Sequence, residues 1–345
     1  MLWVSTGASV AGFLLSAFAT KVWHLILLQG VVCGSAGAIL YTPVLLWMQE
    51  WFMQKRGTAS GVIFSGTGIG GAVLPLFFNH MLQTYGFRYT FIAWAGICLI
   101  VFSGCVATLK PRLPVIKPKK GERGAFLPLD ASFLRHPAVV VMTLTTLLSS
   151  LAFFPVSLYL PVYVESLGTA QDATLVLTVF NSIATLGQVL TGVIADRLPP
   201  SLITATLGFT SSLIALLAWG FARSVKETYA MAVLFGLFSG ICSVWTACAR
   251  DVTGTNVQAS TLIVALFGVA RGTASIVGPI IASKLFDEQR VHDDSGWAPH
   301  GFRRVVIFVG SLAFGSAVSG ALLACFRGPS GPKVRTSSFS LTGRR

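Results

Sequence analysis

One arginine lies alone in the middle of a long apolar stretch. Arg271 falls about midway between Ser260 and Ser283, in a run of otherwise apolar or small residues. If that run crosses a membrane, a charge at its centre is costly and by default indicates function. A guanidinium is a planar fork of hydrogen-bond donors that suits a carboxylate. A structural arginine bonded to backbone carbonyls of a neighbouring helix is the alternative, and the sequence leaves both interpretations open.

Polar residues in other apolar stretches are candidates for the same site. Asn181, Thr185 and Gln188 are spaced i, i+4 and i+7, which places them on one face of a helix. Three further residues are weaker candidates: Tyr41, Trp245 and His24. Aromatic residues near the end of a membrane helix are more often interfacial anchors. We therefore expect a ligand site that combines Arg271 with this polar face.

Two tyrosines are candidates next to two prolines. Tyr159 and Tyr163 are four residues apart and lie beside Pro155 and Pro161. We expect the prolines to break the helix near its outer end, because broken helices at depth are tolerated where they line a cavity.

The acidic residues and cysteines show no catalytic or metal-binding pattern. None of the twelve acids lies in the middle of an apolar stretch, and the six cysteines all fall in apolar stretches with no CxxC pair. The run from Gly66 to Gly71 satisfies GxGxxG, but it lies inside an apolar helical run rather than after a strand. We see no His-rich box, paired carboxylates or nucleophile motif. We therefore expect no enzyme, catalytic residue, metal or cofactor.

Ten apolar stretches position these residues. With 54% hydrophobic and 11% charged residues and a mean hydropathy of +0.75, the chain differs from soluble domains, which carry roughly 25% charged residues. About 20 apolar residues cross the hydrocarbon as a helix. The predicted fold is an all-α membrane protein with spans near 1–20, 24–48, 58–82, 88–109, 138–164, 173–195, 201–221, 228–249, 259–283 and 305–326.

The basic residues predict the orientation. An even number of spans places both termini on one side, and sixteen Lys and Arg fall there against eight in the opposite loops. Cytoplasmic loops are enriched in these residues, so we expect both termini in the cytoplasm. The net charge of +13 is scattered over loops and does not form the basic stripe of a nucleic-acid binder. The chain is expected to contact membrane lipid and a small-molecule solute, and any accessory subunit is unknown.

A basic loop divides the spans into two groups. Residues 1–109 form a first group of four, 110–137 a basic cytoplasmic linker, 138–326 a group of six, and 327–345 a disordered cytoplasmic tail. A central linker between two helical bundles is typical of transporters built from related halves. Such halves should match in span number, so we expect two further spans before Met1.

Glycine pairs and loop charges suggest moving parts. Eight glycines form small-xxx-small pairs, which let membrane helices approach closely: Gly57 and Gly61, Gly66 and Gly70, Gly236 and Gly240, and Gly268 and Gly272. Lys55 and Arg56 begin a span and favour a headgroup anchor over a gate latch. Asp196 and Arg197 follow a span, where a carboxylate can meet the N-terminus of a neighbouring helix and favour one gate state. An ordinary loop ion pair is the alternative.

The stretch from Trp51 to Gly61 (WFMQKRGTASG), followed by Ser65 to Gly71 and Pro75, makes the sequence specific. It resembles the segment between the fourth and fifth spans of major facilitator transporters of the monocarboxylate-transporter-like group, especially the fungal branch. Nearly the whole chain to about Phe326 shares the resemblance, including these upstream and second-half residues: Gln29, Gly30, Gly34, Gly37, Tyr41, Pro43, Asn181, Gly187, Gly192 and Ala195 to Arg197.

This resemblance implies a major facilitator fold of two bundles that work by alternating access, with Met1 at the start of the third of twelve spans. In well-studied relatives the eighth span carries an Asp and an Arg tied to proton coupling and carboxylate binding. Those positions are Ala184 and Gln188 here. The substrate is therefore not inherited from the family, and proton-coupled symport has no visible carboxylate carrier.

Four functions remain open. We expect secondary transport of a small organic solute, such as a monocarboxylate, across the plasma membrane. A drug or metabolite exporter is the alternative within the same class. A truncated non-transporting membrane protein and a solute sensor are the alternatives outside it.

The orientation is testable by labelling of single cysteines from each side of the membrane. Because the Lys and Arg split is sixteen to eight, we expect Lys117 and the C-terminus to label from the cytoplasm and Asp293 from outside. Labelling of these positions from the opposite sides would contradict the assignment.

Overall fold

Among the described residues, ten helices longer than two turns follow one another along the chain. The computed structural model describes residues 1–52, 55–112, 132–167, 170–254, 256–287 and 296–326. Within them the helices are α1 Leu2–Ser16, α2 Val22–Trp51, α3 56–85, α4 87–108, α5 Pro137–Leu167, α6 Ala170–Ala195, α7 Pro200–Trp219, α8 Val225–Thr253, α9 Val257–Leu285 and α10 Arg303–Phe326.

Each predicted span corresponds to one of these helices. Eight helices are long and apolar enough to cross a membrane, when Arg56–Thr108 is counted as one run of 53 residues. Gly86 divides that run into α3 and α4, because its φ of 76° lies in a region that favours glycine. The ten-helix, all-α prediction is confirmed, although α1 ends at Ser16 rather than near residue 20.

The prediction that prolines break α5 was wrong. The helix is continuous from Pro137 to Leu167, with Pro155 and Pro161 inside it. A membrane helix tolerates proline because neighbouring helices and local adjustments satisfy the freed backbone groups, whereas a full break would expose more of them to lipid.

Helices α5 to α10 form one bundle with buried apolar residues at both ends. One cluster includes Val156, Trp219 and Phe235, and a second includes Val139 and Trp245. Polar contacts tie α10 into this bundle. The Thr145 and Ser319 hydroxyls are 2.8 Å apart, and Ser212 Oγ donates to the Gly310 carbonyl at 2.8 Å.

Helices α1 to α4 form a smaller bundle. The Cys33 thiol of α2 donates to the Ser9 carbonyl of α1 at 3.5 Å, and the Phe13 and Trp94 rings meet edge to face at 6.2 Å. The two bundles meet where α3 packs along α6.

The helix ends lie on two opposite faces. We call the face where α2, α6 and α8 end the basic face. There Trp51 Nε1 donates to the Lys110 carbonyl at 3.3 Å, and Arg112 Nη1 donates to the Glu50 carbonyl at 2.9 Å. On the other face the Arg88 guanidinium lies 4.5 Å from the centre of the Phe18 ring.

Part of the predicted organisation lies outside the described residues. This applies to most of the linker 110–137, to the tail 327–345, and to the labelling positions Lys117 and Asp293.

Candidate functional site

A cavity of about 740 Å³ lies between the two bundles. Helices α2 and α3 form one wall, and α5, α6, α8 and α9 form the other. The side chains that matter below are Tyr41, Phe64, Phe153, Phe154, Asn181, Gln188, Trp245 and Arg271. No cluster of His, Cys, Asp or Glu that could hold a metal ion occurs among the described residues.

Arg271 projects its charge into this cavity from α9. Its guanidinium carbon lies 5.2 Å from the centre of the Phe153 ring and 5.0 Å from that of Phe154. The hydrogen bond described for its side chain runs from Nη1 to Ser150 Oγ at 3.5 Å, the long limit for such a bond. A guanidinium has five N–H donors. The arrangement therefore places the cation against two adjacent aromatic rings, whose centroids are 5.6 Å apart, and leaves donor capacity for a ligand.

The predicted polar face of α6 is divided between the cavity and helix packing. Asn181 and Gln188 line the cavity, but their amides also bond to neighbouring helices. Asn181 Nδ2 donates to the Gly71 carbonyl at 3.1 Å, and Gln188 Oε1 accepts from Ser243 Oγ at 2.8 Å. Thr185 lies against Gly68 of α3 and is absent from the cavity lining. Its hydroxyl donates to the Asn181 carbonyl at 3.0 Å.

The prediction for Tyr159 and Tyr163 was wrong in location. Tyr163 is fully buried, and its hydroxyl donates to the Ala222 carbonyl. Its ring packs edge to face on Phe302, with centroids 5.0 Å apart, and Tyr159 packs on the same ring at 6.3 Å. Both tyrosines belong to an aromatic cluster inside the larger bundle, because Tyr159 lies about 200° around α5 from Ser157, which lines the cavity.

Phe64, Phe153 and Phe154, which the sequence analysis did not select, line the cavity together with its weaker candidates Tyr41 and Trp245. Phe153 and Phe154 flank Arg271, and Ser157 follows them on α5. Phe64 of α3 meets Trp245 of α8 edge to face at 5.3 Å. The adjacent pair Phe153 and Phe154, which precedes Pro155, was the sequence signal that could have identified these residues. An arginine in the middle of a membrane span needs neighbours that tolerate a cation.

Helices α3 and α6 approach to backbone contact. A Cβ built on Gly57 would lie 2.6 Å from the Gly192 carbonyl oxygen, and one on Gly61 would lie 2.7 Å from the Gln188 carbonyl oxygen. A Cβ on Gly71 would lie 2.7 Å from the Asn181 side chain. Only glycine fits at Gly57 and Gly61 without moving one helix, whereas a Cβ at Gly71 would displace the Asn181 side chain. Contact extends over 15 residues of α3, from Gly57 to Gly71, a rise of about 21 Å at 1.5 Å per residue.

The carboxylate of Asp196 closes this interface at the basic face. It follows α6 and accepts three hydrogen bonds from the first turn of α3: from Gly57 N at 2.7 Å, Thr58 N at 2.8 Å and Thr58 Oγ1 at 2.6 Å. These amides begin a helix and have no partner within it. A carboxylate from the other bundle satisfies them and also meets the positive end of the helix dipole.

Further polar contacts join the bundles between Asp196 and the cavity. Ser60 Oγ donates to the Ser243 carbonyl at 2.9 Å, and Thr246 Oγ1 donates to Ser60 Oγ at 3.1 Å. Gln49 Nε2 of α2 donates to Thr261 Oγ1 of α9 at 3.2 Å, and both side chains are buried. The passage from the cavity to the basic face is therefore closed by contacts between bundles.

The comparison with known protein families decides the identity of this fold. A sequence model of the major facilitator superfamily matches residues 1–279. The chain belongs to the major facilitator superfamily.

Fungal members of the superfamily are similar along most of the chain. It is 27% identical to the aspyridones efflux protein apdF of Emericella nidulans, over 99% of this chain and 67% of that protein. It is 28% identical to the probable transporter MCH2 of Saccharomyces cerevisiae, over 92% of this chain and 65% of that protein. The riboflavin transporter MCH5 of the same yeast is 25% identical, over 91% of this chain and 62% of that protein. The chain thus spans about two thirds of the length of these relatives.

A solved structure has the same fold. It is a bacterial homolog of the human lysosomal transporter Spinster, in an inward-facing and unoccupied conformation. The TM-score is 0.55 at 15% identity, with 94% of this chain and 81% of that chain covered. These matches confirm the predicted major facilitator fold and the resemblance to fungal transporters.

The glycine pairs of this major facilitator protein have different surroundings. Gly236 and Gly240 of α8 pack on α6, where a Cβ would lie 2.8 Å from the Phe180 carbonyl oxygen and 2.7 Å from that of Gly187, respectively. The packing prediction was wrong for four others, which meet no neighbouring helix within 4 Å: Gly66, Gly70, Gly268 and Gly272. Gly268 instead lines the cavity, where the missing side chain leaves space.

The basic residues near Asp196 differ in their exposure. Arg56 is only 1% exposed, so the headgroup anchor that the sequence favoured was wrong for this residue. Its backbone carbonyl accepts a hydrogen bond from Thr246 Oγ1 of α8 at 3.4 Å, which places the residue at the contact between the bundles. Lys55 and Arg197 are exposed at the basic face. Their role in gating stays a prediction, as does that of Asp196.

Replacing Asp196 with Asn should loosen the basic face. The amide keeps the shape but loses the charge and one acceptor, and hydrogen bonds to a charged group contribute about 1.5–3 kcal/mol. We expect the population with separated helix ends to rise about tenfold, because 1.4 kcal/mol corresponds to that factor. Spin labels on Lys55→Cys and Leu198→Cys, without the native cysteines, would report the distance. Arg197→Gln is the matched control, and an unchanged distance distribution in Asp196→Asn would contradict the closure.

Proposed function

We propose that this major facilitator protein carries a small organic anion across the plasma membrane by alternating access, with Arg271 as the contact for the anionic group. The observation that carries the proposal is the position of Arg271. Its guanidinium lines a cavity between the bundles, and its described hydrogen bond is a single long one to Ser150.

The local chemistry suits a carboxylate. Phe153 and Phe154 contact the guanidinium through their rings, and cation–π contacts stabilise the cation without using its N–H donors. A carboxylate can accept two parallel hydrogen bonds from the free edge of the fork. The low dielectric of the cavity strengthens such a pair relative to water.

Alternating access requires that the two ends of the cavity close in turn. The contacts of Asp196, Ser60 and Gln49 close the end at the basic face in this conformation. We propose that they break when the carrier opens to that face, which the Lys and Arg distribution assigns to the cytoplasm. Among the described residues that line the cavity none is acidic, so the proposal assigns no proton-carrying side chain.

Export of an organic metabolite is a second candidate. The cavity volume of about 740 Å³ lies in the range of pockets for drug-sized ligands, which is about 300–1,000 Å³. One similar fungal protein is named as an efflux protein and another as a riboflavin transporter. The direction of net flux in vesicles of known orientation separates uptake from export.

Arg271→Gln should abolish carboxylate transport with little loss of folded protein. The substitution removes the charge and the fork, whereas Arg271→Lys keeps the charge and should restore transport in part. Flux of radiolabelled lactate and benzoate, measured per folded molecule, checks this result. Arg88→Gln is the control, because Arg88 also contacts an aromatic ring but lies on the far face.

The structural alternative predicts a different result. If Arg271 only supports the fold, Arg271→Gln should reduce the folded yield, since a buried group without its partner costs about 1–3 kcal/mol. Unchanged flux per folded molecule in Arg271→Gln would remove Arg271 from the site and leave Asn181 and Gln188 as the remaining candidates.

A further inference from the structure

We infer that the cavity selects aromatic organic acids, with the acid group at Arg271 and a flat ring between the aromatic side chains of the two bundles. This inference rests on the proposed function, because it assigns a substrate class to the same site. Three features of the cavity support it: the rings beside Arg271, a row of rings from α2, α3 and α8, and the volume.

The first feature is the pair of rings beside the charge. Phe153 and Phe154 each lie about 5 Å from the Arg271 guanidinium carbon, and both line the cavity. A carboxylate that binds the guanidinium therefore brings the atoms attached to it alongside these rings. When those atoms form an aromatic ring, they can stack or meet edge to face with Phe153 or Phe154.

The second feature is a row of rings from the other elements. Tyr41 of α2, Phe64 of α3 and Trp245 of α8 follow one another, with centroids 6.4 Å and 5.3 Å apart. All three line the same cavity. Both bundles thus contribute aromatic surface, so a flat ligand would contact the two halves of the carrier at once.

Trp245 contributes ring surface to this row. The residue is 3% exposed, and its Nε1 is buried without a hydrogen-bond partner among the described residues. Because this N–H has almost no surface toward the cavity, a ligand meets the ring of Trp245 and not its donor.

The third feature is size. A carboxylate of four to six heavy atoms displaces only a few waters, each with a share of about 30 Å³ of liquid volume. The cavity holds about 740 Å³. A short monocarboxylate would therefore leave most of the aromatic surface in contact with water, whereas a fused-ring acid would cover it and gain the associated hydrophobic free energy.

A matched set of probes tests the inference by calorimetric titration of the purified protein. The probes are 2-naphthoate, its saturated counterpart decahydro-2-naphthoate, the neutral amide 2-naphthamide, and acetate. The two bicyclic acids share one carbon skeleton and differ in aromaticity. We expect 2-naphthoate to bind about three- to tenfold more tightly than the saturated acid, the range that aromatic pairs add beyond burial, and acetate to bind most weakly.

Three variants locate the preference. Phe154→Leu and Phe153→Leu should each reduce the ratio between the two bicyclic acids, because leucine keeps the apolar contact but lacks the ring. Phe314→Leu should leave it unchanged, since Phe314 lies on α10 outside the cavity lining and is 51% exposed. Size-exclusion chromatography gives the folded amount of each variant for the titration.

The outcomes separate this inference from the proposed function. Equal or tighter binding of the saturated acid, or a ratio that survives in both phenylalanine variants, overturns the aromatic preference. If Arg271→Gln still weakens the binding of both acids in that case, the anion site remains supported without the aromatic preference. If 2-naphthamide binds as tightly as 2-naphthoate, or if Arg271→Gln leaves every affinity unchanged, the proposed function itself fails.

Discussion

The backbone contact between α3 and α6 is the constraint on which the site depends. Carbonyl oxygens of α6 occupy the space that side chains at Gly57 and Gly61 would fill. In a lipid environment no hydrophobic effect drives helices together, so close packing and interhelical hydrogen bonds must do so. Close packing and hydrogen bonds both occur along the contact between α3 and α6. The Asp196 carboxylate adds three hydrogen bonds where this contact reaches the basic face.

The contact between α3 and α6 determines where the cavity ends and which side chains line it. Because α3 and α6 touch from Gly57 to Gly71, the Asn181 amide bonds across the interface to Gly71, and Thr185 lies against Gly68. The cavity is lined mainly by apolar and small residues, with five aromatic side chains among them, and the charge among its described lining residues comes from Arg271 on α9. In the proposed mechanism a carrier that opens to the basic face separates the same glycines, so the proposed ligand binding and the closure share α3 and α6.

The sequence predicted the helices well because hydropathy depends only on the local run of residues. Ten spans, the division near Gly86 and the distinct position of Arg271 all follow from such runs. The sequence was less informative about which neighbouring helix covers each face of a given helix. Tyr163 and Arg56 are both buried in the structure, although the sequence suggested a cavity for one and lipid headgroups for the other.

The aromatic lining shows the same limit. Phe153 and Phe154 look like ordinary membrane-span residues, and only the arrangement of α5 against α9 brings them to Arg271. Helical spacing likewise placed Asn181, Thr185 and Gln188 on one face, but spacing does not reveal that α3 occupies part of it. Packing between distant segments therefore had to come from the structure.

Thermal unfolding of a matched pair of glycine variants tests the central contact most directly. Gly61→Ala places a Cβ 2.7 Å from the Gln188 carbonyl oxygen and 3.2 Å from the Gly192 Cα, both backbone atoms that cannot yield without moving α6. Gly66→Ala, on the same helix, meets nothing within 4 Å. We expect Gly61→Ala to lower stability by about 1–3 kcal/mol, the usual cost of overpacking, and Gly66→Ala to be neutral or slightly stabilising. Equal melting temperatures for the two variants would contradict a backbone contact between α3 and α6.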